Sequence, residues 1–227
     1  MSFCQAASNV LRLAELCGWK RQAKVMAKLL PEFFRRDDEQ PDGLFYAEPR
    51  FTTHLGPAAS SAALARYEEL LPAGTHVLDL MAGYVSHLPP VFGRVTGLGL
   101  NHDELEHNPC LDDHLVLDLN RPGFLPFADE TFGGAVCTEG VPYLTQPLVT
   151  FSEVGRSLKS GAPFVVTFSN RMFQTKAVLA WRSADDAARV RLVRSYFEAT
   201  PAFGGTRSMH FEPDEGDPLY AIWAFRR

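Results

Sequence analysis

Asp79 and Gly83 have the residue types and spacing of a ligand loop. They close the stretch His76-Val77-Leu78-Asp79-Leu80-Met81-Ala82-Gly83-Tyr84, in which an apolar β-type run meets an acid and then breaks at a glycine. An α/β nucleotide-binding domain presents a loop in this way at the carboxyl end of its first strand. The Asp79 carboxylate is expected at the mouth of the crevice, in reach of a cationic or hydroxyl-bearing ligand. Gly83 lets backbone approach that ligand. Glu139, in Thr138-Glu139-Gly140-Val141, is a candidate base or acceptor-binding carboxylate, with a solvent-facing turn residue as the alternative. His54 and His87 carry imidazoles able to act as bases near neutral pH, or simply as structural hydrogen-bonders. Asn170 and Arg171 follow a further apolar run; the guanidinium can clamp an anion or cap its own loop.

These residues depend on strands to bring them together. Arg94 to Asn101, His114 to Leu119 and Phe132 to Glu139 read as strands two to four, and the third closes on Asp118. Pro147 to Leu158 reads as a helix, with Phe151, Val154 and Leu158 on one face, and Lys159-Ser160-Gly161 as its stop. Ala162 to Phe168 is a fifth strand. A helix is expected to start near Pro57, and His87 is placed in the first turn of another helix after the Asp79 loop. Strands alternating with helices imply right-handed crossovers and a parallel sheet covered on both faces. In such a sheet the crevice beyond the strand ends is the ligand site. Asp118 and Leu119 would then offer a carboxylate and a backbone N–H to a heterocycle; a turn aspartate is the alternative.

With those elements in order, the chain resembles the class I S-adenosylmethionine-dependent methyltransferases. The resemblance rests on Asp79 with Gly83, on Asp118, on Leu125-Pro126-Phe127-Ala128-Asp129-Glu130-Thr131-Phe132 and on Leu158-Lys159-Ser160-Gly161. More narrowly, it resembles a methyltransferase-like group of phototrophs and plants. That likeness rests on Phe45-Tyr46, Pro49-Arg50-Phe51, Thr53-His54, Val85-Ser86-His87, Asn101 with Glu104-Leu105, Asn108-Pro109 and Phe168-Ser169-Asn170-Arg171. The matching stretches run from roughly residue 43 to residue 225.

The resemblance implies a Rossmann-like, seven-stranded, mostly parallel sheet, with Leu219 to Phe225 as an antiparallel last strand inserted at the edge. It implies S-adenosyl-L-methionine as cofactor, held by Asp79, Met81, Ala82, Gly83, Asn101, Asp118, Leu119 and Thr138. The methyl acceptor, a small molecule, is then expected against Tyr46, Arg50, Tyr143, Asn170 and Arg171, with His54 and Glu139 as catalytic candidates. Two departures from the family pattern stand out. Of the three alternating glycines only Gly83 remains, within Met81-Ala82-Gly83-Tyr84-Val85. Gly99 stands where an acid ordinarily grips the ribose, leaving Asn101 to supply uncharged hydrogen bonds. A catalytically inactive binding protein on the same fold is therefore the competing reading.

Composition narrows the classes. The chain has 227 residues, enough for one α/β domain plus an extension. Lys and Arg total 22 against 27 Asp and Glu, a net charge of −5 that disfavours nucleic acid as partner. The basic groups around Lys20 to Lys28 and Arg189 to Arg194 read as solvated helix faces. The four cysteines lack metal-site spacing, so no metal is expected, and the scattered thiols fit the cytoplasm. Neither a membrane span nor a secretory signal is expected. Residues 4 to 35 read as a helical prelude, Arg36 to Gly43 as a linker, and 1–42 as a cap or lid on a methyltransferase-like domain over 43–227. A monomer or homodimer is expected.

Overall fold

The computed structural model describes residues 31–227, Pro122 excepted. Most of the helical prelude therefore lies outside the described residues; Pro31–Phe34 forms one short helical turn.

Seven strands make one sheet in the order β3-β2-β1-β4-β5-β7-β6. They are β1 (His76–Leu80), β2 (Arg94–Gly99), β3 (Asp113–Val116), β4 (Gly134–Thr138), β5 (Pro163–Phe168), β6 (Arg207–Phe211) and β7 (Leu219–Phe225). β1 to β5 pair in parallel, and β7 runs antiparallel to both β5 and β6. The reversed last strand is thus present, but it is not the edge. Its run Leu219-Tyr220-Ala221-Ile222-Trp223-Ala224 is buried on both faces, as an interior strand requires, whereas β6, Arg207-Ser208-Met209-His210-Phe211, turns polar residues to solvent and takes the edge.

Period-two alternation divides each strand between two cores. Val77, Val136, Val165, Ala221 and Trp223 pack under α2 (Pro57–Leu70), which offers Ala59, Ala63 and Tyr67 at spacings of four. Pro57 starts this helix at a position where a missing N–H is harmless. Leu78, Leu80, Ala135, Phe164, Val166 and Ile222 face the opposite layer, built from α4 (Pro147–Ser157) and α6 (Asp186–Ala199). There Phe151 meets the rings of Phe164, Tyr196 and Phe197 at centroid distances of 5.0, 5.5 and 4.8 Å. Burying such a ring stabilises the fold by about 1.5–3 kcal/mol.

Three expectations are corrected at the crossovers. Residues 81–93 join β1 to β2 without a helix, so His87 sits in irregular chain with φ of 54°. Pro89-Pro90 explain this: they remove two N–H donors and push the preceding residue out of helical space. β3 is shorter than the sequence pattern suggests, ending two residues before Asp118. Arg36 to Gly43 is a pinned strap rather than a linker, and the boundary at 42/43 falls inside α1 (Asp42–Phe45). Two further helices, α3 (His102–Glu106) and α5 (Leu179–Arg182), follow β2 and β5.

Candidate functional site

A cavity of about 650 Å³ lies beyond the carboxyl ends of β1 to β5, within the range of small-molecule sites. Its lining includes every site residue expected from the sequence: Tyr46, Arg50, His54, Asp79, Met81, Ala82, Gly83, Asn101, Asp118, Leu119, Thr138, Glu139, Tyr143, Asn170 and Arg171. Lining and availability differ, however, and several of these side chains are already engaged.

The β1 loop is built unusually. Met81, in place of the first family glycine, keeps a left-handed backbone with φ of 57°. Its side chain fills the space that a Cβ on Gly140 would need. Ala82 N–H donates to the Leu98 carbonyl at 2.7 Å, drawing the loop onto the end of β2. A Cβ on Gly99 would overlap the Ala82 carbonyl oxygen, so no acid fits there. Asn101 lines the cavity but is already engaged. Its Oδ1 caps α3 by accepting from Glu104 N–H at 3.0 Å, and its Nδ2 donates to the Tyr46 and Ala47 carbonyls at 2.9 and 3.1 Å. Both amide hydrogens are consumed. A different acid, Glu104, is buried at the cavity wall instead, where burial raises its carboxyl and the Arg50 N–H donated to Oε1 at 2.7 Å opposes that rise.

Asp79 lies deeper than the crevice mouth, at 2 % exposure. Burial pushes its carboxyl up to about 7, against a hydrogen bond from Ser86, and its Oδ2 has no partner among the described residues. Asp118 makes an Asx turn onto Asn120 N–H at 2.9 Å and faces Arg121 at 3.5 Å, while still lining the cavity. The Thr138 hydroxyl is tied to the Tyr67 hydroxyl at 2.6 Å, which in turn meets Thr167 at 2.5 Å.

Around β4 and β5 the lining carries ionisable side chains out of water. Glu139 is buried with φ of 57°, its Oε1 accepting from Ser169 N–H at 2.6 Å. Burial pushes its carboxyl up to about 7; the Ser169 hydrogen bonds oppose the shift, Asp217 adds to it and Arg171 subtracts. His54 and His87 are half-buried, and burial lowers both, with Arg50 acting on the first and His54 on the second. Met81, His87 and Glu139 are three of the four non-glycine left-handed residues among those described, and all three line the cavity. Such strain concentrates at functional sites. The Tyr143 oxygen accepts from Phe173 N–H at 2.9 Å, which fixes the ring and leaves the O–H free to donate, and burial raises its hydroxyl. Asn170 and Arg171 are exposed at the rim, and Arg171 Nε pairs with Asp217 at 2.7 Å. The anion clamp expected of Arg171 is thus already closed on a carboxylate.

The strap covers one side of the cavity. Arg36 Nη1 grips both Asp42 oxygens at 2.7 and 2.8 Å, and Asn120 Nδ2 donates to Asp42 Oδ2 at 2.9 Å. Burial alone would raise the Asp42 carboxyl, but these donors hold it below its usual range. Lys176, with 0 % exposure, meets Asp38 and Asp42 at 3.1 and 3.2 Å and the Gln40 carbonyl at 2.8 Å. The sequence gives no sign of this lysine's burial, since a lone Lys reads as surface. Asn120, two residues past Asp118, and Glu104, three past Asn101, also went unassigned.

No protein-family profile matches the chain. The biotin biosynthesis bifunctional protein BioHC of Teredinibacter turnerae is 31 % identical over 117 residues, which are 51 % of this chain and 18 % of that protein; the match spans about a fifth of its length. Several solved structures share the architecture at low identity. An S-adenosylmethionine-dependent methyltransferase from Mesorhizobium loti is 16 % identical with a TM-score of 0.52, covering 75 % of this chain and 99 % of that one. Geranyl diphosphate C-methyltransferase from Streptomyces coelicolor, solved with Mg2+, geranyl diphosphate and S-adenosyl-L-homocysteine, is 15 % identical with a TM-score of 0.52 over 75 % and 77 %. A chain from the Haloferax volcanii complex between the Trm112 methyltransferase activator and a methyltransferase is 18 % identical, again at 0.52, over 74 % and 88 %. With its strand order, reversed seventh strand and cavity at the carboxyl edge, the chain has the fold of the class I methyltransferases.

Proposed function

We propose that this protein is an S-adenosylmethionine-dependent methyltransferase acting on a small-molecule acceptor. The observation that carries the reading is Glu139: a buried, left-handed carboxyl at the end of β4, raised to about 7 and lining a cavity large enough for two small ligands. Three buried polar atoms of the lining, Asp79 Oδ2, Arg50 Nη1 and Arg36 Nε, lack partners among the described residues, which suits a ligand bearing both donors and an acceptor. Asp118, Leu119, Gly83 and Asp79 are the residues to hold the cofactor, whose sulfonium supplies an electrophilic methyl group when bound.

The protein's own part is positioning, desolvation and proton removal. Glu139 takes the proton from an acceptor hydroxyl or carbon acid; burial raises its carboxyl to about 7, which suits a base working near neutral pH. His54, neutral because burial lowers it, is the second candidate for that proton. Tyr46, Tyr143 and Phe173 supply an aromatic wall, with the Tyr46 ring edge-on to Phe173, and the strap from Arg36 to Gly43 acts as the lid that excludes water. Titration calorimetry with S-adenosylmethionine and S-adenosylhomocysteine tests the reading; micromolar or tighter binding of both is expected, and no binding of either would overturn it.

A second reading, a binding protein without catalysis, is favoured by one observation. The Ala82 carbonyl occupies the place of the ribose-gripping acid, so the nucleoside half of the site is rebuilt. Binding of S-adenosylhomocysteine without methyl transfer to any panel acceptor would favour it.

A further inference from the structure

Four cations line the cavity, Arg36, Arg50, Arg171 and Lys176. Three are matched by carboxylates: Arg36 by Asp42, Arg171 by Asp217, and Lys176 by Asp38 and Asp42. Arg50 has no carboxylate within ion-pair distance among the described residues. Instead its guanidinium carbon lies 4.7, 5.3 and 5.3 Å from the ring centroids of Phe45, Tyr46 and Phe173. Nη2 donates to the Phe45 carbonyl at 2.9 Å, and the Arg50 backbone N–H is fixed by Glu104. Nη1 is buried and has no partner among the described residues; Arg36 Nε shares that state, but the Arg36 charge is paired with Asp42.

An arginine held in this way is preorganised and incomplete. Three aromatic faces fix the plane of the guanidinium and stabilise its charge without using its N–H groups. A buried donor left unpaired is costly, and natural structures seldom keep one without a reason. The surplus is a single positive charge with one open N–H edge, because the neighbouring cations are neutralised. That matches a monoanionic carboxylate better than a phosphate dianion, which would call on several cations together.

We propose that Arg50 is the carboxylate receptor of this cavity, taking the carboxylate of the cofactor's amino-acid end or that of a carboxylic-acid acceptor. The assignment rests on the methyltransferase reading only for the identity of the ligand. It makes Arg50, not Arg171, the anion-binding arginine, and explains why aromatic rings surround it: they leave one direction of approach.

Calorimetry on wild type, Arg50→Gln and Arg50→Lys separates the sources, with thermal melts confirming that each variant is folded. The probes are S-adenosylhomocysteine, methylthioadenosine (the same nucleoside thioether without the amino-acid end) and benzoate. If the cofactor's carboxylate is the ligand, Arg50→Gln weakens S-adenosylhomocysteine about 10- to 100-fold and leaves methylthioadenosine unchanged. If the acceptor's is, neither nucleoside changes, and benzoate binds the S-adenosylhomocysteine-saturated wild type but not the glutamine variant. Arg50→Lys falls between, keeping the charge without the planar fork. Equal loss for both nucleosides would overturn the proposal, since Arg50 would then only shape the wall. So would benzoate and S-adenosylhomocysteine binding that ignores the substitution. Arg50-dependent benzoate binding in a protein that binds no nucleoside would overturn the methyltransferase reading and leave the receptor standing.

Discussion

At the ends of β4 and β5 a buried carboxyl faces the cavity, whereas at the ends of β1 and β2 most loop groups are spent on one another. On the first side Glu139 is strained, buried and aimed by Ser169, and Tyr143 and Phe173 lock one another through a hydrogen bond. On the second, Met81 packs into the space beside Gly140, the Ala82 carbonyl stands against Gly99, and Asn101 spends its amide on a helix cap and the strap. On the proposed function, the chain keeps the half of the site that would react and remakes the half that would hold a nucleoside. The fold requires only the strand edge; which groups stand there is set locally.

The contrast is sharpest at Glu139. Glu139→Gln is expected to lower turnover about 100- to 10,000-fold, equivalent to about 3–5 kcal/mol, while nucleoside affinity stays within a few-fold. Wild-type turnover should rise with pH through a limb near 7 as the carboxyl ionises, and the glutamine variant should lose that limb. The stability of the protein runs the other way. A carboxyl raised in the folded state binds more protons there than in the unfolded chain, so its contribution falls as pH climbs from about 4.5 through about 7. Turnover in Glu139→Gln equal to wild type would remove proton transfer from the β4 side.

Gly99→Asp, which restores the family acid, tests the other half. The new Cβ meets the Ala82 carbonyl, so a loss of about 3 kcal/mol is expected in chemical denaturation, the upper range for overpacking. A stable variant with improved nucleoside affinity would break the comparison, because the loop would then be pliable.

The smallest effects separate Asp118 from Asn101. Asp118→Ala is expected to weaken S-adenosylhomocysteine by about 1–3 kcal/mol with little change in stability. Asn101→Ala should instead destabilise the fold by about 1 kcal/mol through the lost cap, with a smaller change in affinity. Reversal of that pattern would return the ribose role to Asn101.

Legibility followed the physics of burial. β1, β4, β5 and β7 are interior strands, and their apolar runs stand out in the sequence. β6 does not, because one face of an edge strand is solvated and Arg207-Ser208-Met209-His210 has no apolar run. The missing β1–β2 helix was signalled by Pro89-Pro90 but outweighed by the expected crossover. At the site, Asp79, Asp118 and Glu139 were legible as acids at strand ends. Glu104 and Lys176 were not, since a Glu in a short helix and a Lys in a loop have surface patterns, and only tertiary contacts with Arg50 and the strap bury them. Asn101 was found as a site residue, but its role depended on neighbours 54 and 55 positions away.

The strap is fastened by two kinds of ion pair, and dissolved salt acts on them unequally. At the inner end, Arg36, Asp42 and Lys176 are nearly or wholly out of water, where counterions cannot enter between them. At the outer end, Asp37 meets Arg182 in the open, within the reach of a Debye atmosphere of about 8 Å at physiological ionic strength. Raising ionic strength loosens the outer fastening and leaves the inner one closed. The strap stays seated even so, because Asp38 N–H donates to the Thr175 carbonyl at 2.9 Å and Leu179 N–H to the Arg35 carbonyl at 2.8 Å, on either side of Asp37.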